Sequence, residues 1–141
     1  MRIIAIDAGN SRIKWGLHAD GTWQVQGWVE TPRAARLAGE WTKLPAPDRI
    51  VVANVAGARV ARSLTKSARR AGRRPRFVTS AAAQCGVRSS YERPAQLGPD
   101  RWAALIGARH LYRGACVVVN AGTTMTVDAL SADGVFLGGM I

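Results

Sequence analysis

The chain has 141 residues, 48% hydrophobic and 21% charged, which is the balance of a folded domain, or of one domain plus part of a second, rather than of a disordered chain. Twenty Lys and Arg against nine Asp and Glu give a net charge of +11, which points to a polyanionic or phosphorylated partner, although seventeen of the twenty are Arg, a skew that source composition would also produce. No apolar run approaches the ~18 residues of a membrane helix, and MRIIAIDAGN lacks the long apolar core of a secretory signal, so the expected setting is cytoplasmic, with no membrane partner.

In chain order, RIIAID at 2–7 reads as a buried strand, AGNS as a turn, and RIKWGLHA at 12–19 as a second strand. Asp20-Gly21 is a hairpin turn, and TWQVQGWV at 22–29 is a third strand, giving an antiparallel meander. Thr31-Pro32 predicts a capped helix running to about Lys43, stopped by Pro45 and Pro47. A strand over 49–53, a helix over 57–71 and a strand over 75–79 predict a parallel pair with a helical crossover. Segment 80–98 reads as irregular, and a helix follows from Pro99 to about Tyr112, with Trp102, Leu105 and Ile106 on its buried face. Strands over 115–120, 124–130 and 135–141 complete the chain, the last two joined by Asp133-Gly134. Cys85 and Cys116 make neither a disulfide framework nor a zinc motif and read as small core residues. The five tryptophans read as packing rather than ligand stacking.

An internal repeat is the most informative feature. Within IIAIDAGNSRIKWGLHADG at 3–21, residues 4–21 are matched without gaps, at an offset of 113, by VVVNAGTTMTVDALSADG at 117–134. Asp7 falls on Asn120, Gly9 on Gly122, Asn10 on Thr123, Ser11 on Thr124, and Asp20-Gly21 on Asp133-Gly134. This predicts two related halves, the first spanning 1–112 and the second beginning at 113–141. In each bend Gly9 or Gly122 permits a tight backbone whose N–H groups can face an anion. Asn10, Ser11, Thr123 and Thr124 add side-chain donors, and Asp7 offers oxygen to a hydrated Mg²⁺. Arg12 and Lys14 share a strand face and can neutralise phosphate. Two such bends facing each other would clamp a phosphate chain. Phosphoryl transfer also needs a group to receive the acceptor's proton. Asp100, in the first turn of the helix begun by Pro99, is the candidate, since a helix N-terminus favours a carboxylate. The plain alternative is a helix-start charge. Arg101 is either a surface residue or a ligand for an acidic substrate.

DAGNSRIKW at 7–15, YERPAQLGPDRW at 91–102 and NAGTTMTVDAL at 120–130, followed by GVFLGGMI, resemble type III pantothenate kinase, the family that includes the Bvg accessory factors. The resemblance runs from residue 3 to the end. It implies an α/β fold of the acetate kinase/hexokinase/actin superfamily, with two ribonuclease-H-like halves and ATP between them. It implies transfer of the ATP γ-phosphate to the primary hydroxyl of pantothenate, the first step of coenzyme A synthesis, by a homodimer. The family's first phosphate motif falls on Asp7, Ala8, Gly9, Asn10, Ser11, Arg12 and Lys14, and its second on Gly122, Thr123 and Thr124. Its pantothenate contacts fall on Tyr91 and on Gly98, Pro99, Asp100 and Arg101, with Asp100 as catalytic base.

Two departures shape the expectation. The family has Asp where Asn120 stands, at a monovalent-cation site, so dependence on K⁺ or NH₄⁺ is expected to weaken. The chain also stops after the second half's third strand, so it is expected to be truncated, to expose an apolar sheet face and to have little or no kinase activity alone. Two other readings stay open. RVARSLTKSARRAGRRPR at 59–76 has eight basic residues and no acid, as a nucleic-acid surface would. It has no aromatic residue to stack on a base, and Ala58, Val60, Ala61, Leu64, Ala68 and Ala71 form an apolar stripe, so a solvated helix face is the favoured reading. The other is a non-catalytic regulator that keeps the kinase fold.

Overall fold

The computed structural model describes residues 1–141, which divide into two compact units, Met1–Val78 and Thr79–Ile141. The repeat places the start of the duplicated half at 113. In the structure the long helix before that point packs on the second unit's sheet.

The first unit is a five-stranded sheet in the order β3-β2-β1-β4-β5, formed by β1 (Ile3–Ala8), β2 (Arg12–Ala19), β3 (Thr22–Glu30), β4 (Arg49–Asn54) and β5 (Pro75–Phe77). The meander is antiparallel, as the Asp20-Gly21 turn requires; both turn residues have positive φ, the geometry that matches strand twist. β4 joins β1 in parallel and β5 joins β4 in parallel, across helix α2 (Ala58–Arg70). Alternation puts Ile4, Ile6, Ala8, Ile13, Trp15 and Leu17 on one sheet face. They form one core with Leu37, Trp41, Leu64 and Ala68. Trp15 and Trp41 meet edge to face with ring centroids 6.2 Å apart. Leu64, Ser67 and Ala68 are the buried stripe of α2, while Arg59, Arg62, Lys66, Arg69 and Arg70 are exposed.

The helix expected over 31–43 is two short pieces, a 3₁₀ segment at Thr31–Arg36, itself kinked by non-helical backbone at Arg33, and α1 at Leu37–Trp41. Thr31 does not cap it. Its hydroxyl is buried and donates 2.7 Å to the Gly9 carbonyl, a tertiary bond that displaces the local one.

The second unit's sheet runs β6-β7-β10-β9-β8, built from β6 (Ala83–Gln84), β7 (Val87–Ser89), β8 (Cys116–Ala121), β9 (Met125–Leu130) and β10 (Val135–Met140). Segment 80–98, expected to be irregular, thus contributes two strands. Cys85 is exposed, not core: with Gly86 it forms the β6–β7 turn, both residues at positive φ. Helix α3 (Pro99–Leu111) packs over β7, β8 and β9, and buries Trp102 and Leu105 as its periodicity predicts, while Ile106, expected with them, is only half-buried. Trp102 Nε1 donates 2.8 Å to Gln84. Trp23 and Trp28, by contrast, are exposed. On the opposite side Val117, Val119, Met125, Leu137 and Met140 are all more than half exposed, the bare apolar face the sequence anticipated.

The repeat is close in topology and inexact in register. Ala8 pairs with Ile13 across a four-residue bend, but Ala121 pairs with Met125 across three. Asp7 therefore sits opposite Lys14, whereas Asn120 sits opposite Thr126. The two Asp-Gly turns also differ. Only Gly134 has positive φ in the second, where the Gly134 amide bonds Ser131 and the Ser131 amide bonds Val135.

Candidate active site

In the first unit the bend between β1 and β2 lies at the carboxyl end of β1, beside the end of parallel β4, where open α/β sheets bind ligands. The Gly9 amide bonds the Arg12 carbonyl at 3.0 Å, and a Cβ on Gly9 would lie 3.1 Å from that oxygen, a tight fit that favours glycine in the bend. Thr31 braces the bend twice: its hydroxyl on the Gly9 carbonyl, and its amide on the Ser11 carbonyl at 3.0 Å. Asp7, Asn10, Ser11, Arg12 and Lys14 are exposed around it. Asp7 and Lys14 are cross-strand partners and so present carboxylate and ammonium on one face. Arg12 lies 4.5 Å above the Trp28 ring. Asn54, which the sequence reading passed over, ends β4 opposite Ala8 and shapes the adjoining loop through bonds to Ala56 N and Gly57 O.

These residues suit a nucleoside triphosphate with a divalent ion. An exposed carboxylate, a hydroxyl, an amide and two cations converge on one braced bend.

In the second unit Gly122, Thr123 and Thr124 form the exposed bend between β8 and β9, closed by the Gly122 amide on the Thr124 carbonyl at 3.0 Å. A Cβ on Gly122 would only touch that carbonyl, at 3.8 Å, so this bend does not itself demand glycine, contrary to the reading of the repeat. Asn120 donates to Thr126 Oγ1 at 3.3 Å.

The same unit gathers the residues matched to pantothenate. Gly98 is the N-cap of α3, and its carbonyl accepts the Trp102 amide at 3.0 Å. Pro99 starts the helix, and Asp100 stands in its first turn, half-buried, accepting the Arg101 amide at 2.9 Å. Tyr91 packs edge to face on buried Phe136, centroids 5.0 Å apart. Arg101 is not a surface residue. Its guanidinium grips Asp128 of β9, with Nε 3.1 Å from both carboxylate oxygens and Nη2 2.5 Å from Oδ1. The two side chains are 11% and 0% exposed. The Asp128 hydrogen bond holds the Arg101 pKa above its usual value, against the lowering effect of burial. Asp128 was missed in the sequence, although a charge on the buried phase of TVDAL was a usable signal.

The braced bend belongs to the first unit and the helix-start carboxylate beside a buried arginine to the second, on an α/β fold shared with solved sugar kinases. The inorganic polyphosphate/ATP-glucomannokinase of Arthrobacter superposes with a TM-score of 0.53 at 20% identity, over 96% of this chain and 60% of that one. Within that class, the family model for type III pantothenate kinase matches residues 3–141, and the chain belongs to this family. The type III pantothenate kinase of Nitrosospira multiformis is 49% identical over 139 residues, 99% of this chain and 53% of that protein. The one from Aromatoleum aromaticum is 48% identical over 139 residues, 99% of this chain and 57% of that protein. The chain thus spans about half the length of the curated relatives it matches.

Proposed function

We propose that this chain carries the phosphate-binding bends and the acceptor site of an ATP-dependent pantothenate kinase. The observation that carries the reading is the family match across 3–141, joined to the presence of Tyr91, Asp100 and Arg101 in one compact unit. ATP, when bound, supplies the phosphoryl group. Asp7, Ala8, Gly9, Asn10, Ser11, Arg12 and Lys14 bind its phosphates and a Mg²⁺, and Gly122, Thr123 and Thr124 add donors from the second bend. Asp100 takes the proton of the pantothenate primary hydroxyl as its oxygen attacks phosphorus. Arg101 meets the pantothenate carboxylate, and Tyr91, Gly98 and Pro99 shape the pocket. Asn120 offers an amide oxygen without charge, so K⁺ or NH₄⁺ matters little. Residues 113–141, within the unit Thr79–Ile141, carry the three strands that open the duplicated half, and the whole enzyme is a cytoplasmic homodimer. No helix of the structure is long and apolar enough to cross a membrane.

The test joins residues 1–141 to the rest of the Nitrosospira multiformis relative and measures pantothenate-dependent ADP release. Turnover is expected in the chimaera, with little or none from the 141-residue chain. Asp100→Asn is expected to lower kcat by about 10²–10⁴ with the fold kept. Strong turnover by the short chain would refute the dependence on a second half. A chimaera indifferent to pantothenate or to Asp100→Asn would refute the kinase reading.

A further inference from the structure

Asp128 has no part in the chemistry described above, yet it is the most completely buried charged side chain beside Asp100 and Arg101. A buried carboxylate is retained at a cost unless it is paired and hydrogen-bonded. Here the pairing is specific. Asp128 takes the Nε and Nη2 side of the Arg101 fork, leaving Nη1 outside the pair. The sheet is shaped around this contact. Gly139 is the cross-strand partner of Asp128, and a Cβ at Gly139 would collide with Asp128 Oδ1 and Arg101 Nη2. The guanidinium, on the residue that follows Asp100 in the first turn of α3, is thereby fixed in plane and rotation.

We infer that Asp128 is a positioning residue, which locks Arg101 so that its Nη1 edge is preset to receive the carboxylate of an acidic substrate. The ligand assignment rests on the pantothenate reading; the locking does not. A planar fork held on one side keeps its remaining donors in fixed directions, whereas a free arginine must lose rotamer freedom on binding. Asp128 thus governs preference for a charged ligand over a neutral one, without touching the ligand itself.

The test uses the 141-residue chain and two probes, pantothenate and its neutral alcohol analogue pantothenol. The Arg101 Nε–H resonance, assigned with Arg101→Lys, reports the lock. In the native chain it is expected to exchange slowly, and in Asp128→Asn to broaden or average. The preference for pantothenate over pantothenol is expected to fall at least tenfold in Asp128→Asn, with the circular dichroism spectrum retained. A purely structural pair would weaken both probes equally, so an unchanged preference overturns the proposal, as does an unmoved Nε–H signal. If Asp128→Asn does not fold, Arg101→Gln/Asp128→Asn decides: recovery of the melting transition supports the pairing, and no recovery overturns it. If the native chain binds neither probe, the titrations are repeated with the chimaera; failure there too overturns the pantothenate reading, while the Nε–H signal of the native chain still decides whether Asp128 locks Arg101.

Discussion

Gly139→Ala puts one methyl group into the tightest spot of the second sheet. Gly139 and Asp128 are cross-strand partners, so the new Cβ would leave the backbone on the side that the Asp128 carboxylate occupies. It would collide with Asp128 Oδ1 and with the Val127 carbonyl, and lie 2.7 Å from Arg101 Nη2. Two of these neighbours belong to a buried ion pair and the third is backbone, so none is a flexible tip that moves aside freely. Overpacking alone costs about 1–3 kcal/mol. Separating the buried pair would raise this toward about 3–5 kcal/mol. Gly107 in α3 has open space at its Cβ position, so Gly107→Ala is the control and should stabilise by up to about 1 kcal/mol through helix propensity. Urea unfolding followed by the fluorescence of buried Trp102 reads both. With a slope of about 1–3 kcal/mol per molar urea, Gly139→Ala should lower the midpoint by about 1 M or more. An unchanged midpoint for Gly139→Ala would refute the assignment of that space to the Arg101–Asp128 pair.

Leu64 is fully buried between α2 and the first sheet, so Leu64→Ala should cost about 2–5 kcal/mol. In a thermal melt the first unit's transition should fall by on the order of 10 °C or more. Thr31→Val keeps the shape but removes the hydroxyl that donates to the Gly9 carbonyl, and should cost about 1–1.5 kcal/mol. It should also weaken ATP binding to the chimaera in a calorimetric titration; unaltered affinity would show that the brace does not set the bend. Asp48 is held below the ordinary carboxylate value of 3.8, chiefly by the Arg2 amide, which donates to it at 2.7 Å. With the folded value depressed, the contact stabilises above 3.8 and is lost as pH falls through the folded value. The Arg2 amide shift should therefore titrate with a midpoint below 3.8 and stop titrating in Asp48→Asn.

Much of this molecule is legible in the one-dimensional pattern. Period-two alternation located the meander strands, period-3.6 spacing located α2 and α3, and Asp20-Gly21 fixed a hairpin, because each depends on neighbours within a few residues. The bends, the helix-start carboxylate and the family were also readable, since they are runs of adjacent residues. What the sequence could not supply are the contacts made across large separations. Thr31 looked like a helix cap, but its hydroxyl turns instead to Gly9, 22 residues away. Cys85 looked like core, but a two-residue turn at positive φ puts it outside. The gapless repeat concealed a bend one residue shorter, which changes the partners of Asn120 while leaving the letters aligned. Arg101 and Asp128 stand 27 positions apart, and only the packing of α3 on β9 joins them. Local propensity sets what each segment becomes, but the partner of a buried polar group is chosen by whichever acceptor the assembled sheets bring within reach, because leaving it unpaired costs more than any local preference is worth.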